Sequence, residues 1–127
     1  DLGIAGKIVF IPEISDTADI LPAIDIFVMP SLQEGLGLAL MEAMASAIAV
    51  IGSDVGGIKT LIQDGFNGLL VQPADVEALS KAIIRLINDS LLRKNLGINA
   101  REFITENFSQ NKMVDATERV YQQCLKK

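Results

Sequence analysis

The chain contains no histidine and a single cysteine, Cys124. These absences remove several kinds of chemistry. Structural and catalytic zinc is held mainly by cysteine and histidine, and serine or cysteine nucleophiles are commonly activated by histidine. Zinc sites and Ser-His or Cys-His systems are therefore excluded. One cysteine cannot close an internal disulfide, so a reducing cytoplasm is the expected setting. Long apolar runs are missing too. The longest stretch without charge, Ala43 to Ser53, falls well short of the ~20 apolar residues that cross a bilayer. No basic region followed by an apolar one opens the chain, and no signal peptide is expected. Basic residues do not dominate: 11 Lys and Arg stand among 16 Asp and Glu, for a net charge of −5. That balance argues against nucleic acid and anionic membrane surfaces as partners. Recognition must rest on carboxylates, amines, hydroxyls and backbone amides.

What is present suits one compact domain: 127 residues, half of them apolar and 21% charged. Lys7–Ile11 is a β-branched run ended by Pro12 and predicts a strand. Asp16–Ile24 has apolar residues at helical spacing behind a capping Asp16 or Thr17. Asp25–Met29 predicts a second strand, Leu36–Ser46 a helix, Ala49–Ser53 a third strand and Gly57–Gln63 a short helix. The Asp64-Gly65 turn and a fourth strand, Gly68–Gln72, follow. Beyond Pro73 the pattern is helical. Asp75 caps a segment with Val76, Leu79, Ile83, Leu86 and Ile87 on one stripe. A second helix spans about Ser90 to Asn107, and a third follows Ser109 with Met113, Ala116, Val120 and Cys124 on one face. Strands alternate with helices and are apolar throughout. This predicts a Rossmann-like three-layer α/β/α domain with a parallel sheet covered on both faces. Ligands of such sheets bind beyond the carboxyl ends of the strands, here around residues 12–16, 30–36, 53–57 and 73–75.

The loop after the second strand, Pro30-Ser31-Leu32-Gln33-Glu34-Gly35-Leu36-Gly37, runs into a helix. Its glycines allow a ligand close to the backbone, and free amides in the first turn favour an anion such as a diphosphate. A tight strand-to-helix turn explains the same two glycines. Glu42 is the only charged residue between Gly35 and Ser53. Its helix is apolar on nearly every side, so the carboxylate is expected to be largely covered and in need of a partner. That partner is an ion pair, with Lys59 for example, or backbone amides, or two adjacent ribose hydroxyls.

Glu34 and Glu42 are separated by seven residues within Glu-Gly-Leu-Gly-Leu-Ala-Leu-Met-Glu-Ala-Met-Ala, preceded by Val-Met-Pro-Ser. This run closely resembles the E-x7-E region of retaining GT-B glycosyltransferases, particularly the large family-four group. The resemblance continues through Ala49-Val-Ile-Gly-Ser-Asp-Val-Gly56-Gly57-Ile, Asp64-Gly-Phe-Asn-Gly-Leu-Leu-Val71, Asp75-Val-Glu-Ala-Leu and Asn107-Phe108-Ser109. It spans about residues 7 to 125 in one order. It implies that the chain is part of a C-terminal nucleotide-sugar-binding domain, closed by a helix at about 107–127. It further implies that Glu42 binds the ribose hydroxyls, while Glu34 contacts the transferred sugar and is the catalytic candidate. Amides around Gly35, Leu36, Gly37 and Leu38 hold phosphate or sugar oxygens, Pro30 and Ser31 line the base and ribose edge, and Ile11 to Ile14 bound the nucleobase. The donor is a UDP-, GDP- or ADP-linked sugar of hexose type. Transfer retains configuration and needs no metal or other cofactor. The absence of any Asp-x-Asp spacing fits this.

Two positions depart from the family pattern. Ala47-Ile48-Ala49 stands where Gly-x-Pro is common, and Lys59-Thr60 where Pro-Glu is frequent. The resemblance also implies that two strand–helix units, with an Arg and a Lys that clamp the diphosphate, and an acceptor-binding N-terminal domain precede residue 1. Family sheet order would place the two strands between Lys7–Ile11 and Asp25–Met29. The isolated chain is then expected to be inactive, and its first strand to shift or two copies to pair as a homodimer through the exposed edge. The alternative is a non-catalytic α/β module kept for binding or assembly.

Overall fold

The computed structural model describes residues 2–125. Three parallel strands, β1 (Ile26–Met29), β2 (Ala49–Ser53) and β3 (Leu69–Val71), lie in the order β1-β2-β3. Ile26 stands opposite Ala49, Met29 opposite Gly52, and Ser53 opposite Val71. Helix α1 (Leu38–Ala45) joins β1 to β2, and the single turn α2 (Ile58–Leu61) follows β2. Helices α3 (Val76–Asn88), α4 (Ser90–Asn107) and α5 (Gln110–Leu125) close the chain. The expected α/β fold is present, with α3 and α4 at the predicted positions.

Strand β2 is buried at every residue because it has a strand on each side and helices on each face. Its side chains alternate between two cores. Val50 packs with Leu40, Ala43 and Met44 of α1, Ile58 and Leu61 of α2, and Ala100 and Ile104 of α4. Ala49 and Ile51 pack on the other face with Leu69, Val71, Leu86 of α3 and Leu96 of α4. Helix α4 thus contributes to both cores. It turns past the amino end of β2 at Gly97, where an added Cβ would lie 2.1 Å from the Ala47 carbonyl oxygen. Ala47 itself has φ 59°, a left-handed conformation that costs L-residues roughly 1–2 kcal/mol. The sequence departure at this position therefore falls where glycine would be unstrained.

Two predicted elements differ. No strand forms at Lys7–Ile11. Ala5–Lys7 is a 3-10 turn, and Val9 and Phe10 are 82% and 89% exposed. β-branched side chains favour extended backbone, but a strand also needs a neighbouring edge, and β1 pairs only with β2 among the described residues. The helix expected at Asp16–Ile24 is instead two 3-10 turns, Thr17–Asp19 and Leu21–Ala23. Asp16 does cap the first, accepting from Ala18 N at 2.9 Å. Pro22 lacks the N–H that an α-helix would need there.

Helix α5 has no buried residue. Met113, Val114, Val120 and Tyr121 are each more than half exposed.

Candidate functional site

Three strand-to-helix connections converge at the carboxyl ends of the strands. The connection after β1 carries the predicted site. Gly37 adopts φ 71°, ψ 56° and serves as the N-cap of α1. Its lack of a side chain has two effects. The left-handed turn is unstrained, and no side-chain oxygen occupies the first amides of the helix. A helix capped in this way leaves N–H groups directed beyond its start, where the dipole favours an anion. Helix α1 begins at Leu38, two residues later than its apolar pattern suggested, because the αL residue at 37 breaks the helical run.

Glu34 is half-buried in this loop, and its Oε1 accepts from Gly35 N at 3.2 Å. A Cβ placed on Gly37 would lie 3.7 Å from both Glu34 Cγ and Met29 Sδ. The stem of Glu34 therefore packs across Gly37. Pro30 and Gly35 are exposed, Ser31 is half-buried, and Leu36 and Leu38 are 50% and 66% exposed.

Glu42 overturns one expectation. It is exposed, and among the described residues its carboxylate has neither a hydrogen bond nor an ion pair. Of the three partners open to it, neither an ion pair with Lys59 nor a backbone amide is present among the described residues. The reason is the orientation of α1. Leu40, Ala43 and Met44 point into the core, whereas Leu38, Ala39, Glu42 and Ala45 form the open stripe. The sequence shows an apolar helix, but only one side of it is covered. Glu42 stands one turn beyond Leu38, about 6 Å along the helix axis at 1.5 Å per residue. The open stripe thus joins a solvated carboxylate to the uncapped amides at the helix start.

The second connection, after β2, contributes residues to which sequence reasoning had given no role. Gly56 and Gly57 lie against the Glu34 loop. An added Cβ would be 2.0 Å from Glu34 O at position 56, and 1.7 Å from Gly35 O at position 57. Gly57 N also donates to Glu34 O at 3.3 Å. The glycine pair shortly after β2 carries no local signal of this contact, which only the folded backbone creates. Ser53, 1% exposed, ends β2 and lines a hollow of about 200 Å3 with Pro30, Val71, Gln72 and Asp75. The segment Ile11 to Ile14, expected to bound a nucleobase, is exposed.

Comparison with known proteins places this arrangement. The family model for glycosyl transferases group 1 matches residues 1–103. The chain belongs to that family. It is 34% identical over 126 residues to the N-acetyl-alpha-D-glucosaminyl L-malate synthase of Bacillus anthracis, covering 99% of this chain and 33% of that protein. It superimposes on the sucrose-phosphate synthase of Thermosynechococcus elongatus with a TM-score of 0.88 at 32% identity, over 96% of this chain and 31% of the other. The Anabaena protein HepE, solved in complex with UDP, shares the fold at TM-score 0.83 and 23% identity, over 86% and 30% of the two chains. The chain spans about a third of the length of these proteins. The fold is that of GT-B glycosyltransferases. Among the described residues, no helix is long and apolar enough to cross a membrane.

Proposed function

We propose that this chain forms the donor-binding part of the C-terminal domain of a retaining glycosyltransferase that moves a hexose-type sugar from a nucleoside diphosphate. The observation that carries the reading is the open face of α1. It combines an unpaired, solvated carboxylate at Glu42, amides free of side-chain caps at Leu38 and after, and Glu34 in the loop between them and β1. Glu42 accepts hydrogen bonds from two adjacent ribose hydroxyls. The amides at Gly35 to Leu38, with the positive end of α1, take the diphosphate or sugar oxygens, and Glu34 holds the transferred sugar. Pro30 and Ser31 border the base and ribose. In the reaction, the bond from the anomeric carbon to the diphosphate oxygen breaks. A bond from that carbon to the acceptor oxygen forms on the same face, and the acceptor's proton passes to the leaving diphosphate. Helix amides stabilise the charge that develops on the leaving diphosphate, and no metal takes part.

Support comes from membership of the group 1 family and from the UDP complex of the structural neighbour HepE. On this reading the acceptor and the cationic partners of the diphosphate belong to parts of the enzyme outside these residues, and the chain alone does not transfer sugar. The enzyme acts in the cytoplasm. Two isolated chains pair along the open edge of β1, and a strictly monomeric species in analytical ultracentrifugation counts against that pairing. No observation favours the non-catalytic module.

Saturation-transfer NMR with UDP, GDP and ADP tests the donor site. One nucleotide is expected to give signal with the unsubstituted chain and none with Glu42→Ala. The melting temperature should not change, because the side chain is exposed and unpaired. Equal signal in both proteins would overturn the assignment of Glu42 to the ribose.

A further inference from the structure

We infer that Gly56 and Gly57 are positioning residues for Glu34, setting where the sugar-holding carboxylate stands relative to the amides of α1. The inference rests on the donor reading above. Its physical basis is a backbone-to-backbone contact that no side chain can enter. Positions 56 and 57 face the carbonyl oxygens of Glu34 and Gly35, respectively, at distances that a Cβ cannot occupy: 2.0 Å and 1.7 Å, against a floor of 3.0 Å for real contacts. At position 57 the clash extends to Gly35 C at 2.8 Å and Leu36 Cα at 3.0 Å, so the whole turn leading to Gly37 rests on this surface. The Gly57 N–H donates to Glu34 O, so the two loops are hydrogen-bonded as well as touching.

Glycine is an expensive choice for a rigid segment, because each one loses more backbone freedom on folding than any other residue. At Gly57 that choice is not explained by backbone conformation. Its φ of −70° and ψ of −22° are open to any L-residue, so the requirement there is for space. Space is needed because β1 and β2 are adjacent, with Met29 opposite Gly52, and both connections must pass one another at the same end of the sheet. Position 56 adds a left-handed φ of 42°, which again favours glycine. Together the pair brings the start of α2 flush against the Glu34 loop and fixes the backbone that carries the Glu34 side chain.

Gly57→Ala isolates the contact, since it introduces a methyl without a conformational penalty. The comparison protein is Gly97→Ala, which places a Cβ 2.1 Å from a backbone oxygen on a different loop and so disturbs the fold away from the site. Affinity for UDP and for UDP-glucose, or for the GDP or ADP pair where that nucleotide gives the NMR signal, is measured by calorimetry on each protein, and amide resonances of Glu34 to Gly37 are followed by NMR. Gly57→Ala is expected to move those resonances and to weaken UDP-glucose at least tenfold more than it weakens UDP. An ångström of displacement at a positioned group can cost about a hundredfold in reaction rate, and the same displacement loosens the hold on the sugar but not on the nucleoside. Gly97→Ala should leave the ratio of the two affinities unchanged. Equal losses of both ligands in Gly57→Ala, or unmoved resonances, would overturn the inference and leave the donor reading standing. Failure of the unsubstituted chain to bind any of UDP, GDP and ADP would overturn both.

Discussion

Substituting Gly97 by alanine sets two known effects against each other, and the structure decides the sign. Gly97 lies inside α4, where replacing glycine with alanine ordinarily gains about 0.8–1.0 kcal/mol of helix propensity. Here the new methyl would stand 2.1 Å from Ala47 O, 2.8 Å from Ala47 C and 3.5 Å from Ala49 N. Relative to the 3.0 Å floor for real Cβ contacts, α4 and the loop must separate by about 0.9 Å. Neither side yields easily. Ala47 N and Ile48 N donate to Met44 O and Ala43 O at 3.0 and 3.1 Å, which ties the loop to the end of α1. On the other side, Leu96 and Ala100 anchor α4 in the two cores. Overpacking of this kind costs about 1–3 kcal/mol and can cost more. Because the clash is with backbone held on both sides, the cost belongs at the upper end of that range, and against the propensity gain the expected net loss is up to about 2 kcal/mol, or a fall in melting temperature of up to about 8 °C in a domain of this size. Urea unfolding followed by circular dichroism at 222 nm is the suitable assay, because the chain has no tryptophan. The midpoint should fall while the slope with denaturant stays constant. A midpoint that rises would show that α4 does not press on the Ala47 carbonyl, and the account of this packing would fail.

Three further outcomes follow from the same contacts. Ala47→Gly should raise stability by about 0.5 kcal/mol, because relief of the left-handed strain exceeds the added freedom of the unfolded chain; a loss in the urea midpoint would contradict this. Asn67 is fully buried, with Oδ1 accepting from Gln63 N at 2.7 Å and Nδ2 donating to Leu61 O at 3.1 Å. Asn67→Leu leaves both backbone groups unpaired and should cost about 2–4 kcal/mol, read as a lower midpoint in the same titration. Asp75 Oδ1 accepts from Ala78 N at 2.8 Å, so Asp75→Ala should lose about 1 kcal/mol. That loss should be accompanied by faster hydrogen exchange confined to the first turn of α3.

Local signals were enough for several features. The apolar spacing behind the capping Asp75 predicted α3 where it stands, because a capping bond joins residues only three apart, and α4 fills the Ser90 to Asn107 span expected of it. The uninterrupted apolar character of Ala49–Ser53 predicted a strand covered on both faces, and β2 is buried throughout. The seven-residue spacing of Glu34 and Glu42, with the runs that follow, was enough to suggest the family. Other features needed the third dimension. Lys7–Ile11 has the composition of a strand, yet whether it becomes one depends on a distant edge that no local residue supplies. Glu42 looked covered because its neighbours in sequence are apolar, but exposure is set by which side of α1 meets the sheet. Gly56, Gly57 and Gly97 each read as ordinary glycines in the chain. Only the folded backbone shows what each one faces, since a contact between residues 34 and 57, or 47 and 97, leaves no periodic trace. The sequence by itself determined helices α3 to α5, the central strand and the family, all of which rest on short-range patterns. The tertiary structure decided how the Glu34 loop is held and which carboxylate meets solvent, because both depend on packing between segments far apart in the chain.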